Sequence, residues 1–550
     1  MIRRALLVLL LFALPATAAA RGTDHLQAGT DATGRGEVEA AIGHFSRAIE
    51  DRDLSPQQLS LALRSRANLY LNAGHHDRAI RDLDAAIRLD PSDAGAFNNR
   101  GRAYSSRGEY QRAIEDYTAA LRLDPSFAEA YYNRGLAHRR MEEHDRAIQD
   151  YDVVIRLNPN DASAFNNRGN AYSAKGEWDR AIQDYNAAIK LNPSFADAYY
   201  NRGVALRRKG QADKAIHDFD GALRLDPTDS MALTNRGFAH SLKREWNRAI
   251  PDFDAAIRLD PGNAVAFYYR GNAYRDKGDL DRAIPDYDAA IRLDRNYALA
   301  YNNRGVVYTL KGEWDRAIGD YDVAIGLEPS SALFHANRGL AYGGKGDWER
   351  AIQDFDASLG LNPHQSDVVL ERGLAYTMTG EWDRAVRDFD VVIGLNEKNA
   401  AGFFSRGRIR FFLGHFTIAQ SDLQKAVELA GNNPYNPLWL YLARVRGGQE
   451  AGGELAAHAK RLNLPRWPAP LYAVFLGNAT PAAALALAAD GDPERARQQL
   501  CEAYFYLGQH AVIRDDPQEA FRLFKSAAST CALISRDYVS TQVELKRVGR

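Results

Sequence analysis

The sequence predicts an all-α protein, a solenoid of about twelve helix-turn-helix repeats closed by a C-terminal capping hairpin. Two observations predict this fold. A 34-residue period keeps its register through most of the chain, and each period carries two apolar stripes at helical spacing. With 550 residues, the chain is also longer than one globular core normally fills, as expected of a repeat protein.

An arginine marks each period, and an aspartate follows it sixteen residues later. The arginines are Arg66, Arg100, Arg134, Arg168, Arg202, Arg236, Arg270, Arg304, Arg338, Arg372 and Arg406. Eleven consecutive units, residues 60–433, therefore keep strict register without an insertion. Residues 21–59 form a degenerate repeat before them, after a four-residue offset.

Each unit carries the pattern of two amphipathic helices. In residues 94–127 the first apolar stripe ends at Gly108, the second runs through Ala113 and Tyr117, and Asp124-Pro125 ends it. One helical hairpin cannot bury its apolar face alone, but stacked neighbours bury a continuous core. The period therefore predicts hairpins that stack along the chain.

Residues 60–433 resemble the tetratricopeptide repeat (TPR) family. The residues that match the family's pattern in one unit are Gly101, Tyr104, Ala113, Tyr117, Ala120 and Pro125. The resemblance implies a right-handed superhelix that binds other proteins in its concave groove. It implies a scaffold without catalytic activity, whose partners are proteins or peptides.

The recurrent arginine replaces the leucine that is usual in the family. Arg100 and Asp116 are equally far from the turn near Gly108, so an antiparallel hairpin brings them to the same height. We expect a row of partly buried Arg–Asp ion pairs that fixes packing register. A ligand-binding or catalytic arginine is the alternative.

The residue before each arginine faces the groove in TPR proteins, and here it is usually asparagine. The candidate peptide-binding residues are Asn99, Asn133, Asn167, Asn201, Asn235, Asn303 and Asn337, with Tyr132, Tyr200 and Tyr268 beside them. A carboxamide both donates and accepts, so it can pair with any peptide backbone. The series resembles the asparagine ladder of O-GlcNAc transferase, which holds extended polypeptides. The alternative is repeat sequence inherited without a ligand.

Residues 1–20 have the pattern of a cleaved signal peptide. Ile2-Arg3-Arg4 is followed by an apolar run from Ala5 to Leu14 and by small residues of the Ala-x-Ala type. We expect a periplasmic or secreted protein that is not lipidated, because no cysteine follows the apolar run. We expect no membrane-spanning segment in the mature chain; an uncleaved anchor helix is the alternative.

Residues 434–550 continue with helical patterning and resemble the C-terminal region of the bacterial lipoprotein NlpI family. The resemblance is carried by Trp439–Ala443, Phe475–Asn478 and Tyr504–Gly508. It implies an adaptor for cell-envelope enzymes. Here the spacing from Gly508 onward restores the TPR pattern, which predicts a final hairpin at residues 501–534.

The two cysteines of the chain lie at the open end of that predicted hairpin. Cys501 and Cys531 are each fifteen residues from Asp516, the centre of the turn. In an oxidising compartment they are expected to form a disulfide; two packed free thiols are the alternative.

Nothing in the sequence indicates catalysis, a cofactor or a metal. Motifs for zinc proteases, phosphate-binding loops and serine hydrolases are absent, and the run Gly343-Gly344-Lys345-Gly346 is assigned by the period to an interhelical turn. The 70 basic and 71 acidic side chains give no argument for nucleic acid. We expect an exported scaffold or adaptor that binds extended peptide or envelope proteins. The alternative is an assembly or secretion component for surface polysaccharide or envelope complexes.

Overall fold

A computed structural model describes residues 21–532 and 535–549, and all regular secondary structure in them is α-helical. The chain divides into two compact units, the first ending at Pro261 and the second beginning at Gly262. The helices of the first unit are α1 (Arg21–Gly34), α2 (Val38–Glu50), α3 (Pro56–Asn72), α4 (His76–Leu89), α5 (Ala94–Ser106), α6 (Tyr110–Leu123), α7 (Ala128–Arg140), α8 (His144–Leu157), α9 (Ala162–Ala174), α10 (Trp178–Leu191), α11 (Ala196–Arg208), α12 (Ala212–Leu225), α13 (Ser230–Leu242) and α14 (Trp246–Leu259).

The second unit continues the repeats and ends in seven further helices. Its helices are α15 (Ala264–Lys277), α16 (Leu280–Leu293), α17 (Ala298–Leu310), α18 (Trp314–Leu327), α19 (Ala332–Lys345), α20 (Trp348–Leu361), α21 (Ser366–Thr379), α22 (Trp382–Leu395), α23 (Ala400–Phe412), α24 (Phe416–Leu429), α25 (Tyr435–Arg446), α26 (Gly452–Leu462), α27 (Ala469–Phe475), α28 (Pro481–Ala488), α29 (Pro493–Ile513), α30 (Pro517–Thr530) and α31 (Arg536–Val548). Successive helices of each repeat pack as hairpins, as the period predicts.

Local signals set the helix ends. The Asp93 side chain accepts a hydrogen bond from the Ala96 backbone N–H and caps α5. The turn between α5 and α6 needs a left-handed residue, which Gly108 supplies with φ +79°. In two other repeats Glu142 and Arg244 take this conformation instead. The turn therefore survives without glycine in some units.

Small residues let the two helices of each hairpin approach closely. Ala113 and Ala120 on α6 are fully buried, and the ring of Tyr117 lies against Gly101 of α5. A Cβ atom added at Gly101 would stand 2.7 Å from that ring. The same glycine–aromatic contact recurs in the degenerate first repeat, between Gly29 and Phe45.

The predicted Arg–Asp pairs are confirmed. Arg100 donates from Nε and Nη2 to the two carboxylate oxygens of Asp116, at 2.8 and 2.7 Å. Its Nη1 also reaches Asp84 of the preceding repeat at 2.7 Å, a contact that the sequence did not predict. The hydrogen bond with Asp116 raises the pKa of Arg100 further, so the guanidinium stays charged. Arg100 therefore ties its own hairpin together and joins it to the one before.

The C-terminal helices have an aromatic core. Trp439 of α25 packs edge-on against Phe411 and Phe412 of α23, and its ring is also in contact with Phe505 of α29. Helix α29 begins at Pro493, so the final hairpin starts before the predicted residue 501, while Pro517 occupies the first turn of α30 as predicted.

Cys501 and Cys531 are joined by a disulfide that closes this hairpin, with Cα atoms 4.8 Å apart. The predicted signal segment, residues 1–20, lies outside the described residues. Among the helices that the structure describes, none combines the length and apolarity that crossing a membrane requires.

Candidate functional site

The predicted peptide-binding residues all lie in the middle of first helices of the repeats. We call the surface formed by these helices, on the side of the asparagines before the arginines, the first-helix face. In the first unit it belongs to α5, α7, α9, α11 and α13, and in the second to α15, α17, α19, α21 and α23. The arginine that follows each asparagine points to the second helices, where its carboxylates stand.

The asparagines of the first unit bond to the preceding repeat. The Nδ2 atom of Asn167 donates to the Tyr132 hydroxyl at 2.8 Å, and that of Asn235 donates to the Tyr200 hydroxyl at 3.2 Å. Between them, Asn201 donates to Oδ1 of Asn166 at 3.1 Å, and Asn133 makes the same bond to Asn98. Each repeat is therefore linked to the one before it across this face.

The second unit repeats the arrangement. The Nδ2 atom of Asn303 donates to the Tyr268 hydroxyl at 3.0 Å, and that of Asn337 donates to Oδ1 of Asn302 at 2.9 Å. Asn99 has a different contact, since its Oδ1 accepts a long bond of 3.5 Å from Arg102. The structure thus bonds three of the predicted asparagines, Asn167, Asn235 and Asn303, to the predicted tyrosines.

This pairing changes what the carboxamides can offer a ligand. Both N–H bonds of Asn167 are used, because its Nδ2 also donates to the Ser163 carbonyl, and Asn235 does the same with Met231. The carboxamide Oδ1 atoms at Asn133, Asn167, Asn201, Asn235 and Asn337 accept no bond from the residues that the structure describes. The expectation that each carboxamide acts as donor and acceptor together is therefore wrong for Asn167 and Asn235, whose available group is the acceptor.

The tyrosines are less accessible than expected of contact residues. Tyr268 is buried, while Tyr132 and Tyr200 are half-buried. Burial raises the pKa of Tyr132 and of Tyr200, so both phenols stay neutral and serve as acceptors for the asparagines. Their first role is to join repeats.

Sequence reasoning missed the pairs of arginines that end two of the first helices, α7 and α11. The pairs Arg139-Arg140 and Arg207-Arg208 lie 68 residues apart, near the C-terminal ends of α7 and α11. Arg207 stacks over the Phe238 ring of the next first helix at 4.8 Å. Among the described residues no carboxylate lies within ion-pairing distance of Arg140 or Arg208, and both are exposed. Both arginine pairs could have been found in the sequence from that spacing.

The glycine run was placed wrongly. Gly343 and Gly344 belong to the last turn of α19, and it is Gly346 that takes the left-handed turn conformation. No group of three or more His, Cys, Asp or Glu side chains in residues 21–532 and 535–549 is arranged to hold a metal ion.

Sequence profiles described as TPR repeat and tetratricopeptide repeat match most of the array. The matched segments are 60–93, 83–115, 101–142, 128–161, 151–183, 169–210, 196–229, 253–284, 271–312 and 337–400. Together they cover more than half of the chain.

Several solved structures are also similar to parts of the chain. MamA is 32% identical over 30% of this chain and 96% of its own, with a TM-score of 0.29. YrrB, described as a TPR protein with an unusual peptide-binding site, is 28% identical over 34% of this chain and 95% of its own, with a TM-score of 0.30. The hetero-tetramer Cut9-Hcn1 of the APC/C is 15% identical over 78% of this chain and 99% of the other, with a TM-score of 0.42.

The register of the repeats, the hairpins they form and the matched segments agree over residues 60–229, 253–312 and 337–400. The chain belongs to the tetratricopeptide repeat family.

Proposed function

We propose that this protein is an exported scaffold that binds extended segments of partner proteins, such as cell-envelope enzymes, along its first-helix face. The row of carboxamide oxygens in the first unit carries the proposal. The oxygens of Asn133, Asn167, Asn201 and Asn235 recur once per repeat and accept no bond from the described chain. An extended polypeptide offers backbone N–H donors at regular intervals, so it can pair with such a row whatever its sequence.

The bonds between repeats support this role because they hold the acceptors in place before a ligand arrives. Asn167 is fixed by Tyr132 and by Ser163, and Asn235 by Tyr200 and by Met231. A side chain that is already fixed loses little conformational entropy when it binds. The exposed Arg140 and Arg208 add positive charge to the same face and favour segments that carry carboxylates.

The triple substitution Asn167→Ala, Asn201→Ala and Asn235→Ala tests this proposal. The probe is fluorescently labelled, reduced and carboxymethylated α-lactalbumin, an unfolded acidic polypeptide, and binding is followed by fluorescence anisotropy with the full chain. We expect at least tenfold weaker binding, because three acceptors are lost.

The control is Tyr132→Phe with Tyr200→Phe, which removes two bonds between repeats and leaves the carboxamide oxygens. It should bind within about threefold of the natural chain. Full affinity in the asparagine variant, with an unchanged circular dichroism spectrum, would refute the proposal.

Export is tested separately. The full gene is expressed in a Gram-negative host, the periplasmic fraction is isolated, and the N-terminus of the protein is sequenced. The apolar run and the small residues up to Ala20 predict a new N-terminus within the segment from Ala16 to Arg21. Recovery of the uncleaved chain in the cytoplasm would contradict export.

A further inference from the structure

Two equivalent sites, one repeat apart, lie on the first-helix face of the second unit. The covered site is formed by Leu374, Thr377, Trp382, Ser405, Arg408 and Phe412. The open site is formed by the residues 34 positions earlier, Leu340, Gly343, Trp348, Glu371, Leu374 and Met378. The repeat makes one site a copy of the other, with Leu374 shared between them.

The C-terminal helix α31 occupies the covered site. Its residues Val539 and Ser540 lie against the site, and only about 20 Å³ of free space remains there. The Arg408 side chain donates to the Ser540 hydroxyl at 3.0 Å and also lies 3.7 Å from Asp537. A second bond runs from Arg547 to the Phe412 carbonyl. This copy of the site therefore binds a helix through an apolar residue flanked by polar contacts.

The open site has its walls at the same repeat positions and no occupant from the described chain. It encloses about 480 Å³, lined also by Trp314, Phe355 and Gly344. Leu340 is 42% exposed, whereas its equivalent in the covered site, Leu374, is only 9% exposed. The apolar wall of the open site is therefore more accessible than that of the covered site.

Two glycines give the open site its depth. A Cβ atom at Gly343 would stand 3.1 Å from the Trp348 ring, and one at Gly344 would stand 2.5 Å from the Trp314 ring. The equivalent positions of the preceding repeat carry Thr309 and Leu310. Both indoles therefore lie over α19 because no side chain stands in their way.

We infer that the open site binds an amphipathic helix of a partner protein, seated as α31 is seated on its neighbour. The covered site, which holds a helix, indicates that the ligand is a helix. The residues that differ between the two sites indicate which side chains that helix presents. Leu374 stands where the covered site has Arg408, so the partner presents an apolar residue in place of Ser540. Glu371 stands where the covered site has Ser405, which disfavours a partner carboxylate there.

Exposed apolar side chains extend the site along the same face. Leu310 and Leu333, on α17 and α19, are 62% and 53% exposed. This inference goes beyond the proposed function, since it concerns a helical ligand and another stretch of the face.

The test uses the full chain and a synthetic peptide of residues 535–550, labelled with fluorescein. The peptide carries Asp537→Leu and Ser540→Leu, so that it faces Leu374 with apolar side chains. We expect saturable binding by fluorescence anisotropy. Gly343→Leu, which fills the cavity, and Leu340→Glu, which places a charge on an exposed wall, should each weaken binding at least tenfold.

The matched control is Ser173→Leu, the same side chain at the same repeat position in the first unit. It should leave peptide binding unchanged. The triple asparagine variant should also leave it unchanged, so that failure of this inference and failure of the proposed function can be told apart. Circular dichroism melting confirms that each variant is folded, and Leu340→Glu is informative even if Gly343→Leu is not folded.

Three outcomes would overturn the inference. The first is the absence of saturable binding. The second is loss of binding with Trp382→Ala but not with Trp348→Ala, because the peptide would then be replacing α31 in the covered site. The third is a dimer in sedimentation velocity that Leu340→Glu dissociates, because the occupant would then be a second copy of this chain.

Discussion

At the scale of the residue, repeat arginines such as Arg168 have two carboxylate partners in different surroundings. Arg168 makes a double hydrogen bond to Asp184, which is buried, and a single bond of 2.6 Å to Asp152, whose side chain is 44% exposed. Loss of a buried partner leaves an uncompensated charge, whereas an exposed ion pair adds little to stability. The two aspartates are therefore unequal although both touch one guanidinium.

Replacement of these two aspartates separately should show that difference. Asp184→Ala should lower the free energy of unfolding by about 3 kcal/mol, because Arg168 loses the partner inside the hairpin. Asp152→Ala should lower it by less than about 1 kcal/mol. Urea unfolding followed by circular dichroism measures both, and equal losses would contradict this reading of the ion pairs.

The residue-scale contacts were predictable only where symmetry within one hairpin fixes them. Arg100 and Asp116 are equidistant from their turn, so the sequence alone brings them together. The bond from Asn167 to Tyr132 joins residues of different repeats, and the packing offset between hairpins decides it. No local pattern encodes that offset. The sequence therefore identified the candidate asparagines but did not predict that their N–H groups bond to the preceding repeat.

At the scale of the element, the close approach of two helices depends on which glycine faces the partner helix. In the α17–α18 hairpin, a Cβ atom at Gly305 would stand 2.8 Å from the Tyr321 ring. Gly319, on the second helix of the same hairpin, has nothing within 4 Å of its added Cβ atom. One hairpin thus contains a glycine that packing requires and one that it does not.

The two glycines should respond in opposite directions to alanine. Gly305→Ala should destabilise the protein, with overpacking costs of about 1–3 kcal/mol. Gly319→Ala should stabilise it by roughly 0.5–1 kcal/mol, because alanine restricts the unfolded chain and favours the helix. Thermal unfolding midpoints of the two variants test this, and a gain in stability at Gly305 would show that the ring can move away.

Helix α31 marks the limit of prediction from sequence at this scale. The 34-residue period ends before it, and it carries charge on its buried side: Glu544 is fully buried, 3.5 Å from Arg446 and 2.8 Å from Arg547. A charged residue in a helical pattern is ordinarily read as solvent-facing. Its place on the covered site depends on that ion-paired cluster, in which Glu544 of α31 is paired with Arg446 of the distant helix α25.

At the scale of the whole molecule, the disulfide cross-link lies in one of the two units. The disulfide between Cys501 and Cys531 belongs to the second unit, and there are no free cysteines among the described residues. A cross-link over this sequence separation stabilises by about 3.5 kcal/mol through the unfolded chain. The two units should therefore differ in their response to reductant.

Separate expression of residues 21–261 and 262–550 checks this difference. Both fragments should show helical circular dichroism spectra, because each unit has its own core of buried residues. Dithiothreitol should lower the melting temperature of the second fragment and leave that of the first unchanged. In the absence of reductant, a Cys501→Ser variant of the second fragment should melt at the same temperature as the reduced fragment. If dithiothreitol leaves the melting temperature of the second fragment unchanged, the disulfide contributes no stability.

The double engagement of each repeat arginine also bears on how such a chain can grow in evolution. Arg304 bonds Asp320 of its own repeat and Asp288 of the one before, and Arg338 does the same with Asp354 and Asp322. In the repeats that carry both aspartates, a duplicated block of 34 codons brings one arginine and both of its kinds of partner, so the new junction has all of its bonds at once. Gene duplication or loss in whole blocks leaves the remaining junctions intact, whereas a change of any other length breaks one.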